Sequence, residues 1–89
     1  MATLFVRHKV KEFGKWKAAY DAFDVERKKM GVTGHGVYQA EGNPNEVTVY
    51  HDFKDMPAAK TFAGSPRLKE VMKAAGVDGN PDMWFTNRK

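Results

Sequence analysis

The chain has 89 residues, 42% of them hydrophobic, and a formal net charge of +4 from 15 basic and 11 acidic side chains. This length predicts one domain over residues 1–89, with a small core that oligomerisation would enlarge. The lack of cysteine excludes a disulfide framework, thiolate catalysis and a cysteine-based zinc site. The sequence shows neither a signal-peptide pattern nor an apolar run of ~20 residues, which predicts a cytoplasmic protein with no membrane partner.

A strand and a long amphipathic helix are predicted first. Residues 3–10 combine β-branched and aromatic residues with alternating charges, a pattern typical of a strand. From Phe13 the apolar residues are spaced three and four apart, which predicts one helix continuing to Met30 and ending at Gly31. Lysines on this helix are interspersed with acidic residues. The mixed charge indicates a solvated surface, so no nucleic-acid partner is predicted.

A β-hairpin with a histidine in each strand is predicted after the helix. Its strands are residues 33–40 and 46–53, and its turn is formed by residues 41–45. Pairing Val37 with Val49 in antiparallel register places His35 opposite His51. His8 ends the first strand on the parity of its apolar residues. All three histidines are therefore predicted to line one apolar face of one sheet.

The second half of the chain predicts a helix in two pieces and a final strand. Asp55 is the expected N-cap of the first piece. Ser65 followed by Pro66 begins the second piece, which ends before Gly76. Residues 82–88 form the last strand. The order β-α-β-β-α-β predicts a ferredoxin-like α+β fold, with one antiparallel sheet and the helices on one of its faces.

The sheet face without helices is predicted to be rich in aromatic residues. Strand parity places Phe5, Tyr38 and Tyr50 there, which is more apolar surface than a protein usually leaves facing water. Packing two copies of this face together would bury it, so a symmetric homodimer is predicted. Trp84 in the last strand belongs either to this interface or to a pocket wall.

The candidate catalytic residues are His8, His35, His51 and Tyr20. Imidazole titrates near neutral pH, and beside a tyrosine hydroxyl it could take a proton next to a carbonyl or from a phenol. Each histidine also suits a hydrogen-bonded structural role. No HxH or HxxxH spacing is present, so no metal site is predicted. No local motif singles out an axial haem ligand, and no cofactor is predicted.

The candidate ligand-binding residues are Trp16 and Arg27 on the first helix. Trp16 and Tyr20 lie one turn apart on the face that meets the sheet, where they could wall an aromatic pocket or simply fill the core. An arginine on the same stripe needs a carboxylate partner or a substrate carboxylate, unless it reaches solvent at the helix end. The predicted partner is therefore a small, aromatic molecule.

The chain resembles the dimeric α+β barrel superfamily over nearly its whole length. The segments that carry this resemblance lie within residues 6–10, 13–17, 20–21, 43–47 and 62–68. They are similar to antibiotic-biosynthesis-monooxygenase-like and polyketide-cyclase-like small stand-alone proteins. The resemblance implies a ferredoxin-like fold forming a dimeric α+β barrel, and an aromatic or polyketide-like ligand between helices and sheet. It also implies cofactor-free oxygenase or cyclase chemistry, or in some relatives haem binding.

Three hypotheses for function follow from these observations. The first is a small-molecule enzyme of the cofactor-free monooxygenase or cyclase type that uses histidine and tyrosine in proton transfer. The second is a non-catalytic ligand-binding or structural dimer. The third is RNA binding, because RNA-recognition domains share this order of elements. The third strand lacks their Gly/aromatic/basic pattern, which disfavours the RNA hypothesis.

Overall fold

The computed structural model describes all residues from Met1 to Lys89 and contains four strands and four helices. The strands are β1 (Ala2–Val10), β2 (Val32–Ala40), β3 (Asn43–Phe53) and β4 (Val77–Asn87). The helices are α1 (Phe13–Ala22), α2 (Asp24–Lys29), α3 (Met56–Ala63) and α4 (Pro66–Ala74). All strand pairs are antiparallel, in the order β2-β3-β1-β4. The predicted ferredoxin-like α+β fold is therefore confirmed.

The core lies between the helices and one face of the sheet, called here the covered face. Its fully buried apolar side chains come from strands and from α3, and they are Leu4, Val47, Phe53, Ala59 and Phe62. Burying a side chain the size of Leu or Phe contributes roughly 1.5–3 kcal/mol, so this contact holds the two layers together. No helix is long and apolar enough to cross a membrane.

The predicted first helix is interrupted at Phe23, which separates α1 from α2. The Phe23 N–H donates to the carbonyls of both Ala19 (3.1 Å) and Tyr20 (3.2 Å), which tightens the chain into a 3₁₀-like turn. The guanidinium of Arg27 donates to the same Tyr20 carbonyl. The prediction of one continuous helix to Met30 was wrong at this single residue, because the ψ of Phe23 is −3° rather than a helical value and its N–H is shared between two carbonyls.

The hairpin of β2 and β3 has the predicted register. Val37 pairs with Val49, and His35 pairs with His51. The connection is shorter than predicted because β3 begins at Asn43. Gly42 in the connection has φ of 81°, a left-handed conformation that glycine adopts without the steric cost of a Cβ atom.

β4 begins earlier than predicted, at Val77, and includes residues expected to form a turn. Its register against β1 shifts between Arg7, which pairs with Asp82, and Lys9, which pairs with Asp78. Residues 79–81 fill this irregularity. Turn-forming residues can lie inside a strand where a bulge accommodates them, which explains why the sequence pattern placed the boundary too late.

The two predicted N-caps of the C-terminal helices are confirmed. The Asp55 carboxylate accepts from the Ala58 N–H at 3.0 Å, and the Ser65 hydroxyl accepts from the Leu68 N–H at 3.4 Å. Caps of this kind stabilise a helix by ~1 kcal/mol each. They fix where α3 and α4 begin, and α4 forms one wall of the cavity described below.

The other face of the sheet, called here the open face, carries an aromatic residue on every strand. In strand order these are Tyr38, Tyr50, Phe5 and Trp84, with Phe5 paired to both Tyr50 and Trp84. Tyr38 is 64% exposed and Trp84 is 50% exposed. The predicted aromatic open face is confirmed, and Trp84 lies on it rather than in the covered layer.

Candidate functional site

A cavity of about 50 Å³ lies between the covered face and the helices. Fourteen residues line it, and eleven of these are hydrophobic. The other three are His8, Arg27 and His51. The same three residues hold the buried side-chain atoms that lack a hydrogen-bond partner: Nδ1 of both histidines and Nε of the arginine. The polar groups that remain unsatisfied inside the protein therefore all belong to this one cavity.

Beside the cavity, four polar side chains form a continuous set of contacts, called here the polar chain. The Tyr20 hydroxyl lies 3.4 Å from His51 Nε2 and 3.0 Å from His35 Nδ1. On its far side, His35 Nε2 lies 3.3 Å from a carboxylate oxygen of Asp24. His51 is 4% exposed, whereas the His35 side chain is 35% exposed. The polar chain thus runs from the buried cavity to the surface.

The positions of these residues follow from three local rules. Antiparallel pairing of β2 with β3 puts His35 and His51 side by side on the covered face, with ring centroids 6.4 Å apart. Tyr20 follows Trp16 by one helical turn, so both rings face the sheet and stack at 4.9 Å. The break at Phe23 then turns α2 so that its first residue, Asp24, reaches His35.

Arg27 is almost fully buried, with 2% of its surface exposed. Its guanidinium carbon lies 3.7 Å from the centre of the Tyr20 ring, close enough for a cation–π interaction. The guanidinium also contacts the Asp24 carboxylate at 3.3 Å. Of the three roles expected for this arginine, the structure provides the carboxylate partner and leaves Nε without a hydrogen-bond partner. Arg27 therefore places a fixed positive charge at the cavity wall.

Burial determines the protonation states in the cavity. Desolvation raises the pKa of Tyr20 to about 12, and the charge of Arg27 offsets this only in part. Desolvation is also the main cause that lowers the pKa of His51 to about 3, with smaller effects from Arg27 and His35. Burial lowers the pKa of His8 below its usual 6.5. At neutral pH, the cavity is therefore lined by a protonated phenol and neutral imidazoles.

His8 lines the cavity away from the polar chain. It pairs with Val47, whereas His51 pairs with Leu4, so the two histidines are separated by four strand positions, about 13 Å. Its ring packs against Trp16, with centroids 5.4 Å apart and an edge-on geometry. The structure therefore brings His35, His51 and Tyr20 together and leaves His8 at the other end, with Trp16 packed between Tyr20 and His8. No group of three or more His, Asp or Glu side chains has the arrangement of a metal site.

Asp24 is the member of the site that sequence reasoning missed. It was grouped with the other acidic residues of the first helix as part of a solvated surface. Its spacing contained the relevant information, because it follows Tyr20 by four residues and precedes Arg27 by three. Residues at these spacings share one helix face, so a carboxylate between a core tyrosine and a core arginine indicated an ion pair with that arginine.

Comparison with known proteins identifies the fold and leaves the activity open. No protein-family profile matches the sequence, and no curated protein matches it. Among solved structures, an antibiotic biosynthesis monooxygenase matches with a TM-score of 0.76 and 7% identity, covering 100% of this chain and 99% of the other. SnoaB from Streptomyces nogalater, described as a cofactor-independent oxygenase, matches with a TM-score of 0.75 and 14% identity, covering 99% and 93%.

A conserved protein from Methanosarcina mazei Go1 matches with a TM-score of 0.77 and 20% identity, covering 99% of this chain and 92% of the other. At these identities, the similarity is one of fold. The predicted resemblance to antibiotic-biosynthesis-monooxygenase-like proteins is confirmed at that level, and their ferredoxin-like fold is the fold of this chain.

Proposed function

We propose that the protein is an enzyme that acts on an aromatic or polyketide-like small molecule by proton transfer assisted by histidine and tyrosine. The observation that carries this proposal is the Tyr20 hydroxyl held between His35 and His51 at the wall of an apolar cavity. Cofactor-free oxygenation and cyclisation both suit such a site, because each begins with loss of a proton next to a carbonyl or from a phenol. The fold shared with a cofactor-independent oxygenase supports the oxygenase form.

In the proposed reaction, His51 is the general base. Its imidazole is neutral and lines the cavity, and its Nδ1 has no partner within the protein. The positive charge of Arg27 stabilises the substrate anion as it forms. In the oxygenase form, the carbanion and dioxygen give a peroxide anion, which takes up one proton to become a hydroperoxide. The hydroperoxide then loses water to leave a carbonyl group. In the cyclase form, the carbanion attacks a carbonyl carbon of the same molecule.

The size of the cavity requires α4 to move when a substrate binds. About 50 Å³ accommodates water molecules, whereas pockets for drug-sized ligands measure roughly 300–1,000 Å³. α4 contributes Leu68, Val71 and Met72 to the cavity wall but contains no buried residue, so displacing it exposes little core. A bidentate ion pair from Arg67 to Glu26 connects its first turn to α2. Exposed pairs of this kind contribute little to stability, which does not prevent such a movement.

The proposed working form is a cytoplasmic homodimer that packs through the open face. The aromatic residues there lie on all four strands and form one contiguous apolar surface, with Phe5 and Tyr50 ring centroids 6.4 Å apart. A twofold axis across the sheet would bury this surface against its copy. The helices and the cavity would then lie on the outer side of each protomer.

The alternative is a non-catalytic ligand-binding or structural dimer. The small cavity favours this alternative, because a core this well filled does not need to open in a protein whose role is assembly. The alternative gives no reason for Arg27 and two histidines with unpartnered atoms to line the same cavity, since apolar residues of similar volume would be more stable there.

The proposal is tested with 1,8-dihydroxyanthrone, a tricyclic phenolic ketone with an acidic CH₂ group between its aromatic rings. The wild-type protein is expected to consume dioxygen and form the corresponding anthraquinone in equimolar amounts. Tyr20→Phe removes the hydroxyl that holds His51 and should lower kcat roughly tenfold. Tyr38→Phe makes the same change on the open face and serves as the matched control, with kcat expected to stay at the wild-type value.

Two results would contradict the proposal. A rate equal to spontaneous oxidation, with tight binding and recovery of unchanged anthrone, would support the non-catalytic alternative. Equal rates for Tyr20→Phe and Tyr38→Phe would remove Tyr20 from the reaction even if the wild type is active. Circular dichroism and thermal unfolding of both variants establish that they are folded.

A further inference from the structure

The four members of the polar chain differ in exposure in a regular way. His51 and Tyr20 are buried, while the side chains of His35 and Asp24 are about one-third exposed. Each member contacts the next through a polar atom at 3.0–3.4 Å. Two hydrogen bonds and one close imidazole–carboxylate contact therefore lead from the cavity wall to solvent without passing through the cavity itself.

The carboxylate of Asp24, 3.3 Å from His35 Nε2, sets the direction of the two hydrogen bonds in the polar chain. A hydrogen bond from Lys28 lowers the pKa of Asp24, which keeps it ionised and able only to accept. In the neutral form of His35, the proton is best placed on Nε2 facing this carboxylate, which leaves Nδ1 to accept. Tyr20 must then donate to His35 Nδ1, and its oxygen is left to accept from His51 Nε2–H. Nδ1 of His51 consequently carries a lone pair.

We propose that Tyr20, His35 and Asp24 form a proton relay that connects His51 to solvent. This inference rests on the proposed function, in which His51 Nδ1 takes a proton from the substrate. As that N–H bond forms, the Nε2 proton passes to the Tyr20 oxygen, and the Tyr20 hydroxyl proton passes to His35 Nδ1. His51 ends as the neutral Nδ1–H tautomer, Tyr20 remains a phenol, and His35 becomes an imidazolium beside the Asp24 carboxylate.

The relay explains how His51 can act as a base although it is buried beside Arg27. His51 is desolvated and close to the guanidinium of Arg27, so an imidazolium at this position is strongly disfavoured. A change of tautomer keeps His51 neutral throughout. The positive charge appears instead on His35, which reaches solvent and has a carboxylate 3.3 Å away. His35 can then release the proton to water and reset the chain.

The direct test is nuclear magnetic resonance of the ¹⁵N-labelled protein without any substrate. Imidazole ¹⁵N shifts report which ring nitrogen carries the proton, and the expected tautomer is Nε2–H for both His35 and His51. The second measurement is the rate at which the His51 N–H exchanges with solvent. Asp24→Asn removes the negative charge that stabilises the His35 imidazolium and adds an NH₂ donor, so it should slow this exchange by roughly tenfold or more, while the His51 tautomer becomes mixed.

Asp21→Asn is the matched control, because Asp21 pairs with Lys17 on the exposed side of α1. It should leave the exchange rate at the wild-type value. A Nδ1–H tautomer at His51, or equal exchange rates in Asp24→Asn and wild type, would overturn the relay. Failure of the anthrone reaction with the expected tautomers and exchange rates would instead contradict the proposed function and leave the relay in place.

Discussion

The covered and open faces of the sheet each carry one group of residues that departs from the common pattern of a half-buried sheet. β1, β2 and β3 each place a histidine on the covered face, and these are His8, His35 and His51. The same three strands place an aromatic residue on the open face, and these are Phe5, Tyr38 and Tyr50. An antiparallel sheet with one solvated side usually turns its apolar residues inward and its polar residues outward.

The histidines on the covered face and the aromatic residues on the open face have different consequences. Titratable groups on the covered face are desolvated, which costs stability unless their protonation state or a ligand compensates. Apolar groups on the open face remain in water unless a second surface covers them. The covered face is thus suited to chemistry and the open face to assembly, and single substitutions on each face should separate the two roles.

The largest expected effect comes from His51 on the covered face. His51→Gln keeps a polar side chain of similar size but cannot act as a base at neutral pH. We expect it to lower kcat for 1,8-dihydroxyanthrone oxidation by about 10²–10⁴, the usual contribution of a general base. His8→Gln makes the same change outside the polar chain and should have a much smaller effect. Steady-state kinetics of both variants would show whether the two ends of the cavity differ; equal losses would contradict the assignment of His51 as the base.

The second effect concerns stability at acidic pH. The unfolded chain protonates His51 near pH 6.5, whereas the folded protein resists protonation until about pH 3. Protons are therefore taken up on unfolding in this interval, and the free energy of unfolding should fall by about 1.4 kcal/mol per pH unit from this residue as pH decreases from 6.5 toward 3.

Urea unfolding at pH 7 and pH 5 measures this dependence before most carboxylates titrate. His51→Gln should reduce the loss of stability between the two pH values. His8→Gln should act in the same direction, because burial also lowers the pKa of His8. Identical pH dependence in the wild type and His51→Gln would mean that His51 is not held neutral by the fold.

The smallest effect on a single protomer comes from the open face. Tyr38→Arg adds a positive charge to the surface proposed to pair with its copy. We expect an increase in the dimer dissociation constant of tenfold for every ~1.4 kcal/mol of lost association energy, with little change in protomer stability. Val25→Arg is the control, since Val25 is 63% exposed on α2, outside the sheet. Sedimentation equilibrium measures the dimer dissociation constant of each variant. Equal dissociation constants for Tyr38→Arg and Val25→Arg would contradict a dimer through this face.

The fold was predictable because its determinants are local in sequence. Alternation of apolar residues marked the strands, and three- and four-residue spacing marked the helices. The N-caps at Asp55 and Ser65 were correct because the hydrogen bond of a cap spans only three residues. The boundaries of β3 and β4 were less accurate, because ladder pairing extends strands into residues that favour turns.

The candidate site was predictable only in part. The hairpin register that joins His35 to His51 followed from two strands of matching parity and a short turn. The spacing of Tyr20, Asp24 and Arg27 puts all three on one helix face, which places Asp24 beside Arg27. The contact of Asp24 with His35 joins a helix to a strand, so no periodicity within either element indicates it.

The sequence by itself determined the order of elements, that the three histidines share a face by strand parity, and the aromatic character of the opposite face. These follow from the two-residue period of a strand and from hydrophobic patterning, which every short segment contains. Only the tertiary structure decided that the histidines lie on the covered face, which of them meet Tyr20, that Arg27 is buried beneath it, and that Asp24 links this cluster to solvent. Those relations depend on how α1 and α2 are set against the sheet, and packing across the whole chain fixes that geometry.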